Sequence, residues 1–311
     1  MRKLPVFQSV AEVYSGVFRH YIDLLRVAWL PLLIWAVVGF LAGWWLLQHM
    51  AQNPAFLDAA ADKQAKAAAF LDVMPWIYGV AIFKYLILAI VAVGFHRFVL
   101  LGERRHGAAG TGFEFGRSEW LYIWSGIKIA LLFLVVVAIV AAVGTVIFIA
   151  VKATIGSSSA NVNNLPPMLI FILVIGYAAL VLCAALVASR LVLVLPHVAI
   201  GQPSNLRFIW SHTRGNSWRI LGYTLLVSLL AMVGLFLMLL VNWLLGMPMA
   251  QTPDALKDML DHPTAFLIAG IVDLPIQIAW VMLTITMLSV AYREIVGLPG
   301  RESPSERVEP L

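Results

Sequence analysis

Residues 125–151 read SGIKIALLFLVVVAIVAAVGTVIFIAV, and Lys128 is the one charge in the run. Crossing hydrocarbon takes about 20 apolar residues at roughly 1.5 Å rise each, and this run exceeds that without a break. Five further stretches meet the same criterion, at 24–48, 76–101, 167–195, 219–246 and 264–292. Composition agrees: of 311 residues, 62% are hydrophobic and 12% charged, with mean hydropathy +0.92. A soluble domain carries about 45–50% apolar and about 25% charged residues. No water-soluble fold hides this much apolar surface, so soluble enzymes and nucleic-acid binders are excluded. The chain is expected to be an all-α polytopic membrane protein with six transmembrane helices.

Cytoplasmic loops retain Lys and Arg, which orients the spans. Arg2, Lys3, Arg19 and Arg26 lie near the start, and Arg97, Arg104, Arg105 and Arg117 about the second loop. Arg190, Arg207, Arg214 and Arg219 lie about the fourth loop, and Arg293, Arg301 and Arg307 at the end. The other side holds only Lys63, Lys66, Lys152 and Lys257, while Lys84 and Lys128 fall inside spans. This asymmetry predicts that both termini are cytoplasmic. Trp44, Trp45, Trp76 and Trp243 mark the outer interface, and Trp120, Trp124, Trp210 and Trp218 the inner one. Trp35 and Trp280 lie deeper and are expected to pack between helices. The opening MRKLPVFQSV has no apolar core followed by a small-residue cleavage site, so no removable signal peptide is expected.

Each even span closes on a related phrase, HRFVLLGE, PHVAIGQ or YREIVGLPG, ending near Gly102, Gly201 and Gly297. Each odd span follows an aromatic, basic stretch: SGVFRHYIDLLR, FEFGRSEWLYIW or NLRFIWSHTRGNSWR. In the first, Val10, Val13, Tyr14, Val17, Phe18 and Tyr21 recur at helical spacing, which predicts an interfacial amphipathic helix. In the third, Ser204 is expected to cap a short helix over 205–213, Gly215 to end it, and Ser217 to cap the fifth span. Asn53–Pro54 and Thr252–Pro253 read as helix starts in the outer loops. The pattern predicts one membrane domain over 1–297, built as three repeated helical hairpins (1–105, 106–203, 204–297). A polar tail over 298–311 is expected to be disordered.

Ionisable groups inside a bilayer are costly and mark functional sites by default. Lys84 lies eight residues into the second span and Asp273 nine into the sixth, roughly 12 and 13 Å deep. Similar depth and opposite sign make them the intramembrane candidates, as a structural ion pair or as a handler of ligand or ion. Pro275, close to Asp273, frees backbone carbonyls there. Lys128 reads as a lysine reaching back to the headgroups. Cys183, the one cysteine, reads as a buried, inert thiol. Gly39 and Gly43 form a GxxxG pair for close helix packing.

The headgroup-contact candidates are Arg97, Arg190, Arg207, Arg214, Trp218 and Arg219. The fourth loop carries arginines and no acid, and anionic lipid contributes about 1 kcal/mol per basic residue near the surface. HExxH, GxxxxGK[ST] and GxSxG are all missing, the seven His are scattered, and Asp273 is the one deep carboxylate. No catalytic residue, metal site or cofactor is therefore expected.

The opening VYSGVFRHYIDLLRVAWLPLL, the phrase HRFVLLGE and the stretch WSHTRGNSWRILGY carry a family likeness over most of the chain. They resemble stand-alone membrane proteins of alphaproteobacterial type, related to the membrane domain of glycerophosphoryl diester phosphodiesterases. In the fused relatives a separate soluble barrel performs hydrolysis. The sequence runs only a short way past the last span, so the resemblance implies a membrane module without hydrolase activity. Paired-helix repeats also look like the mitochondrial carrier architecture. The carrier gate of Pro-x-Asp/Glu-x-x-Lys/Arg is missing, however: Pro31 is followed by LLIWA, and the third and fifth spans hold no such proline.

With the bacterial inner membrane implied by the resemblance, the expected function is that of a non-enzymatic integral inner-membrane protein contacting anionic lipid headgroups, or a membrane partner, through its basic cytoplasmic surface. The alternative is a small-solute or ion transporter with a site near Lys84 and Asp273. Reporter fusions to either chain end are expected to report the cytoplasmic side. Signals from opposite faces of the membrane would contradict the orientation.

Overall fold

The computed structural model describes residues 3–57, 62–102, 115–154, 167–244 and 263–298. These residues are almost entirely helical, and no strand occurs among them. The helices are α1 (Val6–Val27), α2 (Trp29–Gln52), α3 (Pro54–Leu57), α4 (Lys63–Leu101) and α5 (Arg117–Thr154). They continue with α6 (Pro167–Leu191), α7 (Val194–Ala199), α8 (Leu206–His212), α9 (Ser217–Leu244) and α10 (Pro263–Ile295).

Six segments are long and apolar enough to cross a membrane: Trp29–Gln52, Lys63–Leu101, Arg117–Val146, Ile175–Ala199, Ser217–Leu244 and Leu267–Ile295. Their outward faces carry bare apolar side chains, such as Leu134, Leu229 and Phe236. Water does not tolerate so continuous an apolar surface, whereas lipid does. The chain is a multi-pass membrane protein.

α4, α5, α6, α9 and α10 touch one another in a closed order, and α7 sits against α5, α4 and α10. α2 lies outside this ring against α4. α5 packs on α6, and α9 on α10. The buried core lies mostly where α1 and α7 meet the ring, with Phe95, Leu193, Ile209, Tyr223, Met282 and Tyr292 almost fully enclosed.

The first span begins later than expected. α1 stops at Val27, and the chain turns at Ala28 (φ −141°, ψ 33°) before α2 starts at Trp29. Pro31 explains the break, because its ring excludes the carbonyl four residues earlier, that of Val27. In the first turn of α2 its missing N–H costs nothing.

α1 is amphipathic, as its spacing predicts, but it is more than a surface helix. Val13, Val17, Leu24 and Val27 are buried against α10, α9 and α4, while Phe7 and Phe18 on the other face are each 80% exposed. The Tyr14 hydroxyl donates to the Val227 carbonyl at 2.7 Å, and that of Tyr21 to the Pro275 carbonyl at 3.2 Å. Burial pushes both phenols above their usual range, which keeps them protonated donors.

The second amphipathic stretch is not a separate element, because α5 runs unbroken through it from Arg117. Glu119 accepts the Gly116 N–H at 2.9 Å and closes that start. Asn53 caps α3 as expected, accepting the Ala55 N–H at 3.0 Å. α8 is capped by Asn205, not Ser204: the Asn205 side chain accepts the Phe208 N–H at 3.0 Å, three residues on. Ser204 instead accepts from the Ser125 hydroxyl at 2.8 Å. Ser217 is the first residue of α9, so Asn216 takes the capping position. The Thr252–Pro253 start and the tail beyond Leu298 lie outside the described residues.

Gly102, Gly201, Gly215 and Gly297 all have positive φ, at 69°, 88°, 83° and 86°. Side chains with a Cβ adopt this conformation only under strain, so glycine ends α4, α7, the elbow after α8, and α10.

Val13 has no exposed surface. Val13→Asp places an unpaired carboxylate there and is expected to cost about 3 kcal/mol, read as a lower thermal midpoint in detergent. An unchanged midpoint would mean that α1 is not docked.

Candidate functional site

The buried polar side chains, His96, Arg190, His197, Asn216 and Ser289 among them, gather at one end, where the start of α1, the end of α10 and the α8–α9 elbow meet. His96 on α4 is fully buried, and its Nδ1 lies 2.7 Å from Ser289 Oγ of α10. The Ser289 hydroxyl donates to the Ile285 carbonyl at 2.9 Å, so the His96 Nδ1–H must be the donor to Oγ. Nε2 is left to accept from the Tyr122 hydroxyl at 3.5 Å. On α7, His197 Nδ1 meets the Tyr292 hydroxyl at 2.8 Å. Ser, His and Tyr together suggest nucleophilic chemistry, but Ser289 is 0% exposed and no substrate atom reaches it. The His197 bond holds α7 to α10, and the His96 bonds tie α4 to α10 and α5.

Two of the expected headgroup arginines are turned inward. The Arg97 guanidinium donates to the Ala199 carbonyl and to Ser118 Oγ, both at 2.7 Å. Arg190 donates to Thr213 Oγ1 at 3.0 Å and to the Trp210 carbonyl at 2.6 Å. Its carbon centre lies 3.5 Å from the Trp210 ring centroid, a stacked arrangement. Both guanidiniums thus satisfy carbonyls at the ends of short helices, where the backbone has no helical partner.

The other four candidates face outward on the elbow. Arg207, Arg214, Trp218 and Arg219 are exposed, Trp218 at 64%. The left-handed Gly215 turns the chain from α8 into α9 and brings them around one corner. Arg219 also donates to the Leu4 carbonyl at 3.1 Å, and the Leu4 N–H is taken by the Asn216 side chain at 3.2 Å. From Trp120 to Pro253 the chain has no Asp or Glu, so this corner carries positive charge without a carboxylate from its own stretch.

Beside it, α1, α4 and α10 enclose a groove of 490 Å³ lined by Glu12, Arg19, His20, Phe98 and Arg293 among others. Its charges are largely paired within the protein. Arg293 donates to Glu12 at 2.6 Å and to Glu294 at 3.1 Å.

Lys84 and Asp273 do not pair. Asp273 accepts from the Asn242 amide of α9 at 3.0 and 3.3 Å, while the Lys84 ammonium lies 4.1 Å from the Trp35 ring centroid on α2. The two side chains leave α10 and α4 toward different neighbours. Spacing along the helices does not reveal those directions. Cys183 is exposed rather than buried, because α6 meets α5 through Ala184, Val187, Ala188 and Leu191 instead. Trp280 is 43% exposed and is not enclosed between helices. Lys128 lies 5.9 Å from the Trp124 ring one turn back toward the arginine-rich end, the direction expected of a lysine reaching that interface. Among the described residues, no three His, Cys, Asp or Glu come together as a metal site.

The partners missed by the sequence were Asn242, Thr213 and Ser289. Asn242 carried a signal, as an isolated amide in an apolar span beside the level of Asp273. Ser289 and Thr213 carried none, since serine and threonine often satisfy themselves on their own helix.

Arg190→Lys keeps the charge and loses both the fork and the stacking. It is expected to cost about 2 kcal/mol and to speed hydrogen exchange across α8. Unaltered exchange would show that Arg190 does not hold α8. Comparisons of this chain with protein-family models, curated proteins and solved structures find no match.

Proposed function

We propose that this chain is a non-enzymatic bacterial inner-membrane protein, both ends cytoplasmic, whose α8–α9 elbow holds anionic lipid headgroups. The exposure of Arg207, Arg214 and Arg219 around Trp218 carries this reading. A guanidinium matches a phosphate in shape and charge. The indole places the corner at headgroup depth. Arg97 and Arg190 are bonded to backbone carbonyls of α7 and α8, and Arg190 positions the elbow.

The motifs resembling the glycerophosphoryl diester phosphodiesterase membrane domain fall on α1, the end of α4 and the elbow. A lipid-contacting module without hydrolysis agrees with that resemblance. The shared positive φ of Gly102, Gly201 and Gly297 supports the three-hairpin repeat. The closed His96–Ser289–Tyr122 set supports a structural role for that cluster.

Purified protein is expected to retain phosphatidylglycerol over phosphatidylcholine in native mass spectrometry. Arg207→Gln with Arg214→Gln removes two surface charges, about 2 kcal/mol in all or roughly thirtyfold in anionic-lipid affinity. Equal retention of the two lipids by the unaltered protein would refute the proposal.

A further inference from the structure

Away from the elbow, α2 and α4 enclose a groove of 530 Å³ whose only charged lining residue is Lys84. Gly39, Ala42 and Gly43 on α2 and Ala81 on α4 leave its wall without bulk. Trp45 and Trp76 line it eight residues along α4 from Lys84, their ring centroids 4.8 Å apart. The channel therefore runs roughly 12 Å along α4, narrow and apolar, with a cation at its deep end.

The cation is held there by construction. A Cβ at Gly39 would stand 2.8 Å from Lys84 Nζ, so the ammonium fills the space glycine leaves. The Trp35 face, 4.1 Å away, offers the negative side of an aromatic quadrupole but no counter-charge. Asp273 is bonded to Asn242 on another side of the bundle. Among the described residues Lys84 has no carboxylate partner. A cation in an apolar slot is stabilised by an anion that shares the slot.

We infer that the α2–α4 groove binds a long-chain carboxylic acid, its chain in the small-residue channel and its carboxyl group against Lys84. Charge complementarity selects one acid group for one ammonium. Depth selects a carboxylic acid over a phosphodiester lipid: the acid crosses hydrocarbon in its neutral form, since burial disfavours a charged carboxylate. Beside the ammonium the acid's O–H bond breaks, its proton leaves to water at the membrane surface, and the carboxylate that remains accepts hydrogen bonds from Nζ–H. A phosphodiester headgroup stays charged and remains at the surface, where the elbow meets it.

The test uses the full chain in nanodiscs with carboxyl-labelled [1-13C]oleic acid as the probe and oleyl alcohol as the uncharged control. A protein-bound carboxyl resonance, distinct from that of lipid-dissolved acid, is expected and is not displaced by equimolar oleyl alcohol. Lys84→Met removes the charge at similar size and is expected to weaken acid binding roughly tenfold or more, with alcohol binding unchanged. Removing a charge from an apolar slot does not threaten folding, which the thermal midpoint checks. Ala42→Phe fills the channel and leaves Lys84 intact, and it is expected to remove binding of both probes. Equal binding of acid and alcohol by the unaltered protein, or an unchanged carboxyl resonance in Lys84→Met, would overturn the assignment. Retention of phosphatidylglycerol at the elbow is unaffected by either variant, so the two sites fail independently.

Discussion

Hydrocarbon offers no hydrogen bonds, so every polar group this chain carries into the bilayer must find its partner within the protein. That constraint organises the arginine-rich end. Between α6 and α9 the backbone leaves regular long-helix geometry twice, at α7 and α8, and each departure exposes carbonyls. Arg97 closes the end of α7 and Arg190 the end of α8, each with a forked cation reaching across from a neighbouring long helix. The tyrosine hydroxyls follow the same rule, with Tyr14, Tyr21 and Tyr223 each donating to a main-chain carbonyl on a different helix. These bonds tie α1, α9 and α10 together where aliphatic packing alone gives little preference between protein and lipid.

The same constraint separates two kinds of cation. Arg97 and Arg190 are buried or half-buried, and they close the ends of α7 and α8. Arginines on the outer side of the elbow face the surroundings in a stretch free of carboxylates from Trp120 to Pro253. Lys84 is of neither kind, being placed in a slot by Gly39 and Trp35 rather than paired or solvated. The groove between α1, α4 and α10 differs again, because Glu12 and Glu294 neutralise Arg293 there.

What the sequence revealed follows from what a helix pattern encodes. Length and hydropathy made the six spans legible, and turn chemistry made Asn53, Gly102, Gly201, Gly215 and Gly297 legible. Spacing also put the two intramembrane charges at a similar level of the bundle. Gly39 meets Lys84, and its neighbour Phe40 lies 3.6 Å from where a Gly270 Cβ would stand, one turn from Asp273. Direction around the helix axis was not legible. An all-apolar span shows almost no preferred face, so nothing in the pattern sends Lys84 to α2 or Asp273 to α9. The exposure of Cys183 and Trp280 was hidden for the same reason. α1 was legible as amphipathic, but its face does not name its partner, and Pro31 was the overlooked signal for the break at Ala28.

A bilayer protein with an exposed basic corner, free of carboxylates from its own stretch, should respond to the charge of the lipid around it at that corner alone. Hydrogen–deuterium exchange of the full chain is the direct measurement, in nanodiscs of phosphatidylcholine and in nanodiscs containing phosphatidylglycerol. Slower exchange across residues 206–219 in the anionic discs, with α5 and the rest of α9 unaltered, is the outcome predicted here. Identical exchange across that segment in both lipids would contradict the account.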